Sequence, residues 1–194
     1  MLNDIDLVML AKAAQSDAFA ELVRRHQAGL RTFLRRLAPN AAEADDIAQE
    51  AFLKAHARLS GFQGGASFRS WLYAIAYREF LQAKRKDGAQ GRLKSALIEN
   101  GAGDSDSETT APDLSLDLQR ALATLEENER AAILLCDAAG LSHSEAATAL
   151  GAPLGTVKSH IARAREKMRA VLEGRHQITD QHNSSTGHGA VNAL

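Results

Sequence analysis

The sequence predicts an all-α protein of two small helical domains joined by a flexible acidic linker, and three observations carry that expectation. Apolar residues recur at helical spacing in two separate blocks, and no alternating stretch is long enough to suggest a strand. Hydrophobic residues fill 45% of the 194 positions but aromatic ones only 5%, so the cores must be built largely from Ala and Leu, both strong helix formers. Between the blocks, IENGAGDSDSETTAPD (98–113) replaces periodic apolar residues with Gly, Ser, Thr and acids, and such a stretch cannot bury enough surface to offset the entropy of ordering. The expected division is a first domain at 1–95, a linker at 96–117, a second domain at 118–174 and a disordered tail at 175–194.

In the first block, Phe19, Leu22, Val23, Leu30, Phe33, Leu34 and Leu37 mark one helix face, Pro39-Asn40 interrupts the pattern, and AAEADDIAQEAFLKAHARL resumes it. GFQGGAS (61–67) is a glycine-rich loop whose Ser67 can cap the helix that follows. On that helix Phe68, Trp71, Leu72 and Ile75 share one side and predict a packed face, towards which Arg78, Glu79 and Gln82 also point. Arg69, Tyr73, Tyr77, Phe80 and Lys84 fall within roughly 80° of one another on the other side. An exposed row of aromatics among cations needs a partner, and unpaired bases stacked on the rings with their phosphates on the cations are one.

The second block reads as a helix-turn-helix. Ser142 and Glu145 in LSHSEAATALG form a capping box, Gly151 ends that helix, and APLG leads into a basic one. With residues 156–172 helical, Val157, Ile161, Ala164, Met168 and Val171 face inward. Ser159, Ala162, Arg163 and Glu166, flanked by Thr156, Lys158 and Arg169, face outward, a mixture of small groups and cations suited to a major groove. A solvated amphipathic helix shares the pattern.

Charge and composition exclude other classes. The formal net charge of -1 conceals a segregation: residues 96–118 carry six acids and no Lys or Arg, while the blocks on either side are locally basic. The lone Cys136, in the apolar run AAILLCDAA, excludes an internal disulfide framework and a multi-cysteine zinc site. His176, His182 and His188 are too widely spaced for adjacent helical turns, so neither a metal nor another cofactor is expected. The amino terminus lacks a basic n-region with a cleavage pattern, and no stretch approaches membrane-spanning length, so a cytoplasmic location is expected.

LSHSEAATALGAPLGTVKSHIARAREKMRAVL resembles region 4.2 of the extracytoplasmic-function (ECF) sigma factors of the sigma-70 family, although LuxR-type regulators share its Thr-Val-Lys-x-His core. ADDIAQEAFLKAHARL resembles region 2.2 of the same family, and SFRSWLYAIAYREFLQAKRK resembles regions 2.3 and 2.4. The resemblance implies a sigma-2-like domain, a linker and a sigma-4-like domain. It further implies a promoter-specificity subunit that is not an enzyme, whose partners are core RNA polymerase, promoter DNA and an anti-sigma factor.

By the resemblance, Thr156, Lys158, Ser159, His160, Arg163 and Arg165 meet the minus 35 duplex. Phe62, Gln63, Ser67, Arg69, Tyr73, Tyr77 and Lys84 meet the opened minus 10 strand. Asp45, Asp46, Gln49 and Glu50 dock on polymerase, although from the residues alone this acidic group reads first as a solvated face, with a cation-binding cluster or a protein-contact patch as the other readings. The sequence departs from the family at His56, where Trp is frequent, and at Tyr77-Arg78 and Gln82. Two alternatives stand beside this reading: a sigma mimic that titrates an anti-sigma factor without reading promoters, and a LuxR-type regulator.

Overall fold

The computed structural model describes the backbone of residues 2–97 and 116–185 and the side chains of 2–88 and 116–173. Every regular element among them is helical. The first four helices are α1 (Asp4–Lys12), α2 (Ser16–Arg35), α3 (Ala41–Ala57) and α4 (Phe68–Leu97), with a short 3-10 turn at Leu59–Gly61. The second set is α5 (Leu116–Ala123), α6 (Glu127–Ile133), which continues as a π-helical turn over Leu134–Ala138, α7 (His143–Leu150) and α8 (Leu154–Ser185).

Helix starts are set by side chains that satisfy otherwise unpaired backbone donors. Asn3 accepts from the Asp6 amide at 2.9 Å and Asp6 accepts from the Asn3 amide at 3.2 Å, closing a capping box on α1. Asn40, just after the predicted break, accepts from the Glu43 amide at 2.9 Å and starts α3. Ser67 accepts from the Ser70 amide at 3.2 Å at the head of α4, the capping role expected of it.

The first core joins Leu22, Leu30, Phe33 and Leu34 of α2 to Phe68, Leu72 and Ile75 of α4, with Leu7 and Val8 of α1 covering one end. Helix α3 packs on both α2 and α4, and its buried side chains at Ala44, Ala48, Ala51 and Ala55 are small enough for both to approach closely. His56 stacks edge-on against Phe19 with ring centroids 4.7 Å apart, so it serves in aromatic packing where the family often has Trp.

In the second domain Leu122, Leu125, Leu134, Leu135, Leu141 and Ala146 close over Val157, Ile161 and Ala164 of α8, the inward stripe expected of that helix. Ser142 accepts from the Glu145 amide at 3.2 Å and Glu145 from the Ser142 amide at 2.9 Å, the predicted capping box on α7. Gly151 adopts φ 63°, a left-handed helix stop that a Cβ would disfavour. After α6 the chain widens into one π turn, in which the Ala139 amide reaches the Leu134 carbonyl at 2.9 Å, five residues back.

One boundary differs from expectation. Helix α8 runs on to Ser185, so residues 175–185 are helical rather than part of a disordered tail. Extending an established helix costs no new nucleus, and this stretch holds no proline to stop it. Residues 186–194 and 98–115, most of the predicted linker, lie outside the described residues.

The two domains pack on each other through α4, which meets α6 and α7. Helix α4 therefore has protein on two sides. From Leu72 to Tyr77 every residue is buried, the pattern of a helix apolar all round its circumference rather than on one stripe.

Candidate nucleic-acid interface

Helix α8 presents the residues expected to meet a duplex. Thr156, Lys158, Ser159, Arg163 and Arg165 are exposed and His160 is half-buried. Their stations differ. Lys158 and Thr156 reach open solvent at the start of the helix, and Ser159 donates to the Gly155 carbonyl at 3.0 Å. Arg165 bonds Asp137 at 2.9 Å on one flank, and that carboxylate raises its already high pKa further. On the other flank Arg163 donates from Nε to Glu129 Oε1 at 3.2 Å and lies 3.0 Å from His160 Nδ1 through Nη2.

The candidates for a single strand are placed differently, and two expectations need correction. Tyr73 is 2% exposed and Tyr77 3%, so the predicted open row of aromatics is closed. Tyr73 packs against Phe33 of the first domain with ring centroids 5.2 Å apart. Tyr77 donates to Asn128 Oδ1 of the second domain at 3.1 Å and stacks near Phe80. Burial pushes both phenols up to about 12; Glu127 adds to the rise at Tyr77 and Arg69 opposes it at Tyr73. Phe62 is likewise core: it sits 5.1 Å from Trp71 and 6.2 Å from Phe68 between ring centroids, while its carbonyl accepts from Lys12. The physical reason is common to all three, since an aromatic ring gains more by packing against protein already at hand than by facing water.

Gln63, Ser67, Arg69 and Lys84 remain at the surface of α4 and its leading loop, but three of them are engaged by the second domain. Ser67 donates to Glu145 Oε1 at 2.6 Å, Arg69 to the Gly140 carbonyl at 2.9 Å, and Lys84 pairs with Glu127. The Ser67 hydroxyl and the Ser142 amide hold the Glu145 carboxyl below its ordinary value. The face that the sequence left unpartnered thus has a partner inside the same chain.

The departures at Arg78, Glu79 and Gln82 are resolved in this arrangement. Arg78 and Gln82 are exposed, not turned towards the packed side, and Glu79 bonds Lys54 of α3 at 2.5 Å. Lys54 also lies 3.3 Å from Glu50, and these carboxylates raise its pKa, Glu79 foremost.

On α3, Asp46, Gln49 and Glu50 are exposed together, whereas Asp45 is held by Arg35 at 2.9 Å with Arg31 at 3.7 Å. No group of three or more ligands that could hold a metal occurs among the described residues. Sequence reasoning missed Leu53, which is 60% exposed beside Gln49 at the edge of a cleft of about 380 Å³ floored by Phe19, Val23 and Phe52. Its spacing from Asp46 and Gln49, seven and four residues, was the available signal. Leu53 thus adds an exposed apolar group beside the acidic surface of Asp46 and Glu50.

Comparison with known proteins matches these two domains separately. Residues 22–90 match the family model for sigma-70 region 2 and residues 115–168 that for sigma-70 region 4. The ECF RNA polymerase sigma factor SigE of Mycolicibacterium smegmatis is 33% identical over 184 residues, covering 91% of this chain and 67% of that protein. The ECF RNA polymerase sigma-E factor of Escherichia coli is 34% identical over 176 residues, covering 85% and 92%.

Among solved structures, RpoE in complex with the anti-sigma factor NepR from Bartonella quintana superposes with a TM-score of 0.67 at 29% identity, covering 80% of this chain and 96% of that one. CnrH in complex with the cytosolic domain of CnrY gives a TM-score of 0.65 at 26% identity, covering 88% and 97%. Likeness through both domains does not favour a LuxR-type regulator, and relatives named as sigma factors do not favour a sigma mimic. The chain belongs to the extracytoplasmic-function sigma factors of the sigma-70 family.

Proposed function

We propose that this sigma factor divides promoter recognition between its domains, with residues 118–174 reading the minus 35 duplex and residues 1–95 binding polymerase and capturing the opened minus 10 strand. As a sigma factor it brings core RNA polymerase to promoters; the polymerase carries out the chemistry, and this chain works in the cytoplasm without catalytic residues or a cofactor of its own. The observation that carries the division is the contrast in charge and access. Helix α8 offers Thr156, Lys158, Ser159 and Arg163 to an outside polyanion, while α3 offers the acidic, leucine-bearing surface of Asp46, Gln49, Glu50 and Leu53 to a protein.

For the minus 10 strand, the working residues are Gln63, Ser67, Arg69, Tyr77 and Lys84. Tyr73 and Phe62 support the fold beneath them. Because Ser67, Arg69, Tyr77 and Lys84 contact the second domain, the domains must part before α4 can hold a strand. One solved relative that superposes across both domains, RpoE, is in complex with an anti-sigma factor, which supports an anti-sigma partner that keeps this chain closed.

Run-off transcription with core polymerase tests the reading. A set of transcripts with shared upstream elements is expected, and absence of initiation on every template from the source genome would overturn it. Substitution of Asp46, Glu50 and Leu53 together is expected to abolish polymerase binding while leaving minus 35 duplex binding by the isolated chain intact.

A further inference from the structure

Glu129 is a carboxylate with 1% exposure, and a charge so placed is costly unless paired on both oxygens. It is paired on both. Oε1 accepts from Arg163 Nε at 3.2 Å, while Oε2 accepts from Lys167 Nζ at 2.7 Å and from the Glu126 amide at 3.2 Å. Arg163 and Lys167 are one helical turn apart on α8, so a single buried group in α6 grips two successive turns of the helix expected to read DNA. Burial pushes the Glu129 carboxyl up, but Lys167, the Glu126 amide and Arg163 more than reverse this and leave it below its ordinary value.

The guanidinium is restrained at two of its three nitrogens, Nε by Glu129 and Nη2 by His160, while Nη1 makes no hydrogen bond to the described residues. The Arg163 side chain is still 54% exposed. A long side chain ordinarily gives up several rotatable bonds on meeting DNA, and here most of that freedom is already gone. On the same helix Glu127 and Asn128 bond α4 side chains, while Glu129 bonds those of α8.

We propose that Glu129 is a positioning residue for minus 35 recognition, fixing the plane of the Arg163 guanidinium so that its free edge meets a base-edge acceptor in the major groove. This rests on the assignment of α8 to the minus 35 duplex and adds to it the residue that aims the arginine. A planar fork discriminates between bases only when its orientation is set, whereas a loose cation contributes affinity without sequence preference.

The test uses the full chain and a duplex selected by it from a randomised pool, with affinity measured on the selected sequence and on single base-pair variants. Glu129→Gln keeps the size of the side chain and an acceptor for the Glu126 amide but removes the charge that holds Arg163. It is expected to lower affinity for the selected sequence about tenfold and to flatten discrimination at one base-pair position. Arg163→Ala is expected to flatten the same position, and in its background Glu129→Gln is expected to change discrimination no further.

Discrimination unchanged by Glu129→Gln would overturn the proposal, as would equal losses in both backgrounds, which mark a structural role only. Should Glu129→Gln fail to fold, Arg163→Lys asks the same question by keeping the charge and losing the fork. It is expected to flatten the position as Arg163→Ala does, and wild-type discrimination would overturn the proposal. A wild-type chain that selects no duplex would instead sink the minus 35 assignment itself, before any substitution is made.

Discussion

Helices α4 and α8 both carry the residue types that meet nucleic acid, yet the structure uses their surfaces in opposite ways. In α8, Val157, Ile161 and Ala164 anchor one side and the cations stand outside. In α4, the side opposite Phe68 and Leu72 is covered as well, by Phe33 of its own domain and by Asn128, Gly140 and Glu145 of the other. The difference follows from side-chain chemistry. Lysine and arginine keep their heads in water while their stems lie on the surface, but tyrosine and phenylalanine are driven into whatever apolar cover is near. A strand-binding face rich in aromatics is therefore self-adhesive, and a duplex-reading face rich in cations is not.

Truncation of a ring on α4 perturbs the molecule most. Tyr73→Ala is expected to destabilise the first domain by about 3 kcal/mol or more, read as a fall in thermal unfolding temperature, because Tyr73 fills space against Phe33. Loss of open-complex formation without loss of stability would instead place Tyr73 on the strand.

Alkaline titration of the chain's two tyrosines, followed by tyrosinate absorbance, comes next. Both phenols are pushed from an ordinary 10.0 to about 12 by burial. The unfolded chain loses these protons first, so stability is full below pH 10 and falls as pH rises towards 12. Two tyrosines ionising near the ordinary value in the native chain would show that the face is open.

Tyr77→Phe removes only the bond to Asn128 and is expected to weaken domain packing by about 1 kcal/mol, seen as faster amide hydrogen exchange in α6 and α7. Smallest in stability is Lys158→Ala, within about 0.5 kcal/mol by thermal unfolding. It is expected to lower duplex affinity across sequences and to reduce the salt slope by about one. An unchanged slope would take Lys158 off the phosphate backbone.

Much of this was legible in the sequence, for local reasons. The inward stripe of α8, the Ser142–Glu145 box, the Gly151 stop and the Asn40 start after Pro39 each depend on neighbours within a few residues. What could not be read depends on contacts distant along the chain. Helical spacing put Phe68, Leu72 and Ile75 of α4 in the core but wrongly turned Arg78 and Gln82 towards it, and spacing cannot say whether a strand or a second domain covers the aromatic side. Arg163 was identified as an outward cation, yet its restraint by Glu129 spans 34 residues. The π turn at Leu134–Ala138 had no sequence signal, since its residues are those of an ordinary buried helix.

The most direct measurement is the distance between the domains before and during function. Spin labels at Ser60→Cys and Ser144→Cys, in a chain whose Cys136 is replaced by serine, report it by pulsed electron paramagnetic resonance. The free chain is expected to show a short, narrow distance distribution, and the same chain in a transcribing complex with core polymerase and promoter a clearly longer one. A single unchanged distribution in both states, with run-off activity intact, would contradict the claim that α4 must be uncovered to work.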